Sequence, residues 1–270
     1  MFKDIKQVMK DSVLYGIGNV AVKLVGFILI PLYTDAEYFS TADYGLMGLL
    51  EVTSQILIAV MGLSLYSGLI RWYWDAEYRD KQKTIFFTTL LFTILTSLCI
   101  GSVLWLNVGE LSALLVQQEG YSLGGELPYI LQLLILTSML GAVVEVPQNL
   151  LRLQRKPIYY SLTNIVRLFV TLVLTIYFTI SLHRGVSGVY EAQLVGIAIQ
   201  LLMVLPLVIK NSSCRVDRKC TIQLLAYSYP LVFPAIVGSL LTVFDRYIIN
   251  HFQGLDDVGF YSLGYSREYS

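Results

Sequence analysis

Charged side chains are scarce in this chain: Asp, Glu, Lys and Arg make up 14% of it, against 56% hydrophobic residues. A soluble domain carries roughly a quarter charged residues, so this composition excludes an ordinary soluble fold and suits a helical bundle in lipid. Histidine is nearly missing, with two residues, and cysteine is limited to three. Cys99 falls within an apolar run, while Cys214 and Cys220 share a polar gap with no second ligand pair, which argues against a zinc site. Low-complexity stretches are lacking too, and nothing predicts a separate soluble domain. The formal net charge is zero, and the placement of charge leaves no basic surface for nucleic acid.

What is abundant is apolar sequence in long runs. These cover roughly Ser12 to Tyr33, Gly45 to Ile70, Ile85 to Leu106, Tyr129 to Leu151, Ile158 to Leu182, Val189 to Ile209 and Leu224 to Phe252. Each meets the ~20 residues a helix needs to cross the hydrocarbon core. The first is too long for a signal-peptide core and lacks a small-residue cleavage site, so it is predicted to be a retained helix. Fourteen of the nineteen Lys and Arg residues lie at the N-terminus (Lys3, Lys6, Lys10) and in the second (Arg71, Arg79, Lys81, Lys83), fourth (Arg152, Arg155, Lys156) and sixth gaps (Lys210, Arg215, Arg218, Lys219). The alternate gaps hold Arg184 and a series of acids that includes Glu37, Glu110, Glu119, Asp256 and Asp257. The positive-inside rule therefore predicts a multi-pass protein of the cytoplasmic (inner) membrane with its N-terminus in the cytoplasm. Trp72, Trp74, Tyr159 and Tyr160 fall where headgroups are expected and read as interfacial anchors, and the outward connection from Asn107 to Pro128 has room for a short interfacial helix around Leu111 to Gln118.

An internal repeat is also present. Tyr33, Asp43 and Gly45 recur at a constant offset of 214 as Tyr247, Asp257 and Gly259, each set closing one apolar run and opening the next. Six runs separate the copies, so both cross the membrane in the same sense, as in transporters built from parallel six-helix repeats. The expected organisation is an N-terminal six-helix lobe over residues 1–210 and the beginning of a C-terminal lobe over residues 221–270. On this reading the chain is a C-terminally truncated transporter.

Six ionisable side chains interrupt the apolar runs: Lys23, Glu51, Glu145, Arg167, Asp245 and Arg246. Each costs about 2.5 to 3.5 kcal/mol at a helix centre and so predicts a watery cavity or a partner. Asn19 stands one turn before Lys23, and Asn164 stands three residues before Arg167, so two helices each present an amide and a cation from one stripe. Glu145 precedes Pro147, which frees a backbone carbonyl and permits a bend. A structural pairing of Lys23 with Glu51 or Glu145 stays open, as does a purely structural pair of Asp245 with Arg246.

The stretches "VLYGIGNVAVKLVGFILIPLYTDAEYFSTADYGLMGL", "LRLQRKPIYYSLTNIVRLFV" and "YSYPLVFPAIVGSLLTVFDRYIINHFQGLDDVGFYSLGY" resemble the polysaccharide exporters, or O-antigen-type flippases, of the multidrug/oligosaccharidyl-lipid/polysaccharide (MOP) superfamily. The resemblance implies an all-α polytopic membrane protein with a MATE-like fold, represented by its first six-helix lobe and the start of the second. It also implies a flippase that moves an undecaprenyl-pyrophosphate-linked oligosaccharide across the cytoplasmic membrane by alternating access, coupled to a proton or sodium gradient, with a polysaccharide polymerase as a partner. No cofactor, metal or enzymatic role is expected. Under that reading Lys23, Arg167, Asn19, Asn164 and Arg246 bind the anionic headgroup, since a cation-lined cavity lowers the barrier to moving pyrophosphate through hydrocarbon. Glu51, Glu145 and Asp245 are then the candidates for ion coupling. The rivals are a cation-coupled drug exporter of the same superfamily, whose cavity should be dominated by acids, and a membrane polymerase or ligase, which calls for a large outward loop rich in Arg or His.

Overall fold

The computed structural model describes residues 29–115, 125–213 and 215–268. Its described residues are helical, without strands. Residues 29–33 are helical and are labelled α1. There follow α2 (Thr41–Gly62), α3 (Leu65–Trp72), α4 (Gln82–Leu106), α5 (Val108–Leu115), α6 (Leu127–Leu153), α7 (Pro157–Ile176), α8 (Gly185–Asn211), α9 (Arg218–Phe252) and α10 (Leu255–Glu268). Among the described residues six segments are long and apolar enough to cross a membrane, and they coincide with the second to seventh predicted runs. The chain is thus an all-α multi-pass membrane protein.

Helix boundaries follow from local chemistry. Ser40 caps α2 by accepting from the Asp43 amide at 3.1 Å, while the Asp43 carboxylate accepts from the Ser40 amide at 2.9 Å, a reciprocal capping box. Asp257, the repeat counterpart of Asp43, takes the same third position in α10. Asp217 caps α9 by accepting from the Lys219 amide at 2.9 Å, and Pro157 opens α7, where a missing N–H costs nothing.

The second predicted run is not one helix. Leu63 and Ser64 both adopt left-handed backbone, at φ 45° and 51°, and separate α2 from α3. The connection predicted to face outward holds α5 at Val108–Leu115, a turn earlier than expected, and the remainder of the expected 111–118 segment lies outside the described residues.

Helix α6 is the hub of the bundle, touching α2, α4 and α8 along its length. One cluster of buried residues, including Leu46, Leu50, Leu131, Leu134 and Tyr190, packs around its first half. Another, including Leu69, Phe86, Leu150 and Leu224, packs around its second. Because lipid tails are as apolar as these side chains, close approach through small residues has to hold the helices together. The tightest crossing is α2 on α10. A Cβ on Gly45 would overlap the Leu255 carbonyl, and one on Gly259 would stand 2.5 Å from the Thr41 carbonyl. Leu255 is 214 residues beyond Thr41, and Gly259 is 214 beyond Gly45, so the contact is reciprocal between the two copies of the repeat. Gly48 likewise faces Ser262, its own counterpart.

The basic gaps meet at one end of the bundle. There Lys81 pairs with Asp217 at 2.5 Å and Lys219 with Glu77 at 2.8 Å, and Gln154 donates to the Tyr73 hydroxyl at 3.0 Å and to Asn211 at 2.9 Å. At the opposite end Arg184 pairs with Glu191, which also accepts from Tyr129 at 2.8 Å.

Candidate functional site

The exposed residues of α7 include Ile158, Leu162, Ile165, Phe169, Val173 and Ile176, a single stripe at helical spacing. At 100° per residue Arg167 lies about 160° around the helix from the centre of that stripe. The cation therefore points into the protein rather than to lipid. A Cβ on Gly196 would collide with Thr171, and this small residue brings α8 close enough for Gln200, four residues on, to reach α7.

Gln200 is 1% exposed and joins the two sequence-predicted residues of α7. Its side-chain carbonyl accepts from Arg167 Nη1 at 3.3 Å, and its amide donates to Asn164 Oδ1 at 3.1 Å. Asn164 in turn donates to the Tyr160 carbonyl at 2.8 Å. One residue away, Thr163 accepts from Gln148 of α6 at 2.9 Å, and both are buried. Arg167 has no carboxylate partner among the described residues. A guanidinium carries five N–H donors, so the single long bond to Gln200 leaves most of them for an incoming anion. This half-buried cation on neutral, exchangeable partners can accept a phosphate without first breaking an ion pair.

Glu145 follows Gln148 back along α6 and is half-buried. Its carboxylate lies 3.9 Å from where a Cβ on Gly62 would stand, against the break between α2 and α3. Glu51 and Gln55 are both exposed on one face of α2. Lys23 and Asn19 lie outside the described residues.

The third candidate group behaves differently. Arg246 Nη1 donates to the Gly48 carbonyl at 3.0 Å, and the Asp245 carboxylate accepts from the Tyr261 hydroxyl of α10. Tyr247 and Thr53 share a hydrogen bond at 2.8 Å, and Asn250 donates to the Leu115 carbonyl at 2.8 Å. These four contacts, made within residues 245–250, tie the end of α9 to α2, α5 and α10. A cavity of about 370 Å³ beside them, lined by Ile56, Leu115, Phe244 and Tyr247 among others, is apolar and contains none of the predicted site residues.

Sequence reasoning missed Gln200, Gln148 and Thr163. An isolated amide in the middle of an apolar run, as in "GIAIQLLMV", is the signal that marks Gln200, by the same cost of burial that singled out the charges.

A sequence model of the family described as "Polysaccharide biosynthesis protein" matches residues 8–267. No curated protein matches the chain. Among solved structures, a mutant of the Vibrio cholerae MATE transporter VcmN is similar at a TM-score of 0.70 and 15% identity, covering 98% of this chain and 61% of that one. A MATE transporter in complex with Br-NRF is similar at 0.66 and 17%, covering 91% and 57%. The outward-facing conformation of a multidrug resistance MATE transporter of the MOP superfamily is similar at 0.63 and 14%, covering 96% and 57%. The fold is therefore MATE-like, and the chain spans less than two thirds of the length of these transporters.

Proposed function

The chain belongs to the polysaccharide biosynthesis protein family, and from that premise we propose that it works in a flippase for undecaprenyl-pyrophosphate-linked oligosaccharide. Arg167 carries the proposal. A cation on the inner face of an apolar helix, held by an amide and free of any described carboxylate, suits a headgroup of about two negative charges. Asn164 and Gln200 orient it, and Lys23 with Asn19 in the first apolar run supply the matching cation and amide. Glu51, Glu145 and Asp245 are the coupling candidates, for a proton or sodium. The N-terminus and the basic end of the bundle face the cytoplasm, and a polysaccharide polymerase receives the product on the other side.

The reciprocal contact of Gly45 and Gly259 with each other's helices supports a two-lobed protein. Residues 1–210 form one lobe and residues 221–270 begin the other, related by an axis along the membrane normal. Alternating access then rocks one lobe against the other around this crossing.

The MATE-like fold favours a second reading, a cation-coupled exporter of drugs. Arg167 on the inner face, without a carboxylate partner among the described residues, weighs against it, because a cationic substrate is repelled there. Complementation separates the two. In a strain lacking its flippase, the complete reading frame should restore surface polysaccharide and its Arg167→Ala variant should not, at equal abundance. Restored drug resistance without restored polysaccharide would favour the exporter.

A further inference from the structure

Backbone that leaves the helical pattern at membrane depth strands polar groups and is tolerated only where it is buried in protein or lines a watery cavity. The α2/α3 break is such a place. Thr96 of α4 donates to the Met61 carbonyl at 2.7 Å. Thr96 stands fourteen residues from the start of α4 and ten from its end, roughly 21 and 15 Å at the helical rise. The break therefore lies near the middle of the bundle rather than at its rim.

Its carbonyls are unequally served. Val60 accepts from the Leu63 amide at 3.4 Å, Met61 accepts from Thr96, and Ser64 accepts from the Ser67 amide at 2.9 Å. The Leu63 carbonyl accepts no hydrogen bond among the described residues. Two further irregularities meet this point. Pro147 interrupts the α6 ladder two residues after Glu145, and the Ser64 hydroxyl donates at 3.4 Å to Leu231, between the two prolines of α9. Into this junction projects Glu145, whose carboxylate has no ion pair or hydrogen bond among the described residues. Tyr66 and Arg152 are near enough to feel its charge, but Arg152 is engaged with the Tyr160 hydroxyl and lies 4.6 Å over that ring.

We propose that Glu145 and the Leu63 carbonyl bind a partly desolvated monovalent metal cation of sodium's size. Hard cations take oxygen ligands, and unwound carbonyls beside a carboxylate are how broken membrane helices supply them. One carboxylate matches one positive charge. A divalent ion would leave an excess charge near Arg152, and the described residues hold no group of three His, Cys, Asp or Glu side chains for a transition metal. Occupancy would brace α2 against α3 and α6, and release would free the joint to bend. This deepens the ion-coupling part of the proposed function and rests on it for the consequence in transport.

The test is thermal unfolding of the purified chain without lipid substrate, in NaCl, KCl or choline chloride at constant ionic strength. The expected result is a saturable rise in Tm specific to Na⁺, absent from Glu145→Gln, where the apparent affinity drops by about tenfold or more. Should Glu145→Gln fail to fold, Glu145→Asp keeps the charge one methylene short and should respond to Na⁺ with weakened affinity. Equal Tm in the three salts overturns the site, as does an unchanged Na⁺ affinity in either variant. A response to pH alone overturns the metal ion in favour of a proton. A flat Na⁺ response leaves the headgroup assignment of Arg167 standing. A protein that responds to Na⁺ but binds pyrophosphate lipid equally well without Arg167 has lost that assignment and kept the cation site.

Discussion

Arg167 and Arg246 are both half-buried in apolar helices, yet the first is met by a side-chain amide and the second by the main chain of another helix. Gln200 offers Arg167 one bond at 3.3 Å, which an anion can replace at little cost. Arg246 reaches the Gly48 carbonyl at 3.0 Å, one turn from the crossing where Gly45 and Gly259 allow α2 and α10 to touch. Its neighbours Asp245 and Tyr247 make their own bonds to α10 and α2. The difference teaches that an intramembrane charge marks a function only when its partners can be exchanged. A charge woven into a helix joint is accounted for by the joint. By that criterion we assign Arg167 to the proposed substrate path, whereas Arg246, grouped with it on sequence, is tied into the joint of α9 with α2.

Several substitutions press on this contrast. The most severe should be Gly45→Val, because the added Cβ meets the Leu255 backbone, which cannot move aside without separating α2 from α10. The expected cost is about 3 kcal/mol or more, read as loss of folded protein from the membrane fraction. Normal abundance of Gly45→Val would show that the crossing is looser than described.

Next comes Arg246→Ala. Removing the charged donor strips the Gly48 carbonyl of a bond worth about 1.5 to 3 kcal/mol, so abundance and transport should fall together. Transport lost at full abundance would return Arg246 to the headgroup site.

Gln200→Leu is milder and aims at the other arginine. It removes the tether between Arg167 and Asn164 while filling the same volume. Headgroup affinity should drop by a few-fold to about tenfold, as for the loss of one hydrogen bond, with the melting temperature little changed. An unfolded Gln200→Leu protein would mean that the amide chain is structural after all.

The smallest effect belongs to charges that are neither exchanged nor woven in. Lys81 and Asp217 meet in solvent at the basic end, and the hydrogen bond from Lys81 holds the Asp217 carboxyl below its ordinary value. The unfolded chain then binds that proton more readily than the folded one. The contribution to stability is therefore present above about pH 4 and is lost as pH falls through the depressed folded value. Asp217→Asn should flatten only the acid limb of Tm against pH and leave the neutral Tm nearly unchanged, as exposed pairs contribute little. A large loss of Tm at neutral pH would show that the basic end is locked more firmly than its exposure suggests.

Much of the fold was legible because it is periodic. Apolar runs of membrane length and a repeat at a fixed offset need no knowledge of tertiary structure, and the described spans coincide with six of the seven runs. The break after Gly62 was not legible. "MGLSLYSG" has no proline, and its left-handed Leu63 and Ser64 are maintained by Thr96 and Leu231, distant residues whose approach no local pattern announces. Of the candidate site, the pairing of Asn164 with Arg167 was visible at i, i+3, whereas Gln200 lies 33 residues beyond Arg167 and Gly62 lies on a different helix from Glu145. Contacts that cross between helices were lost to the sequence, and those along one helix were retained.

The account rests on Arg167 as a headgroup ligand, and binding of undecaprenyl pyrophosphate to the purified product of the complete reading frame tests it most directly. Removal of one charge-assisted partner, worth about 1.5 to 3 kcal/mol, should raise Kd by about 10- to 150-fold in Arg167→Ala, with less loss in Arg167→Lys and an unchanged Tm in both. An Arg167→Ala protein that binds the lipid as tightly as the parent would contradict it.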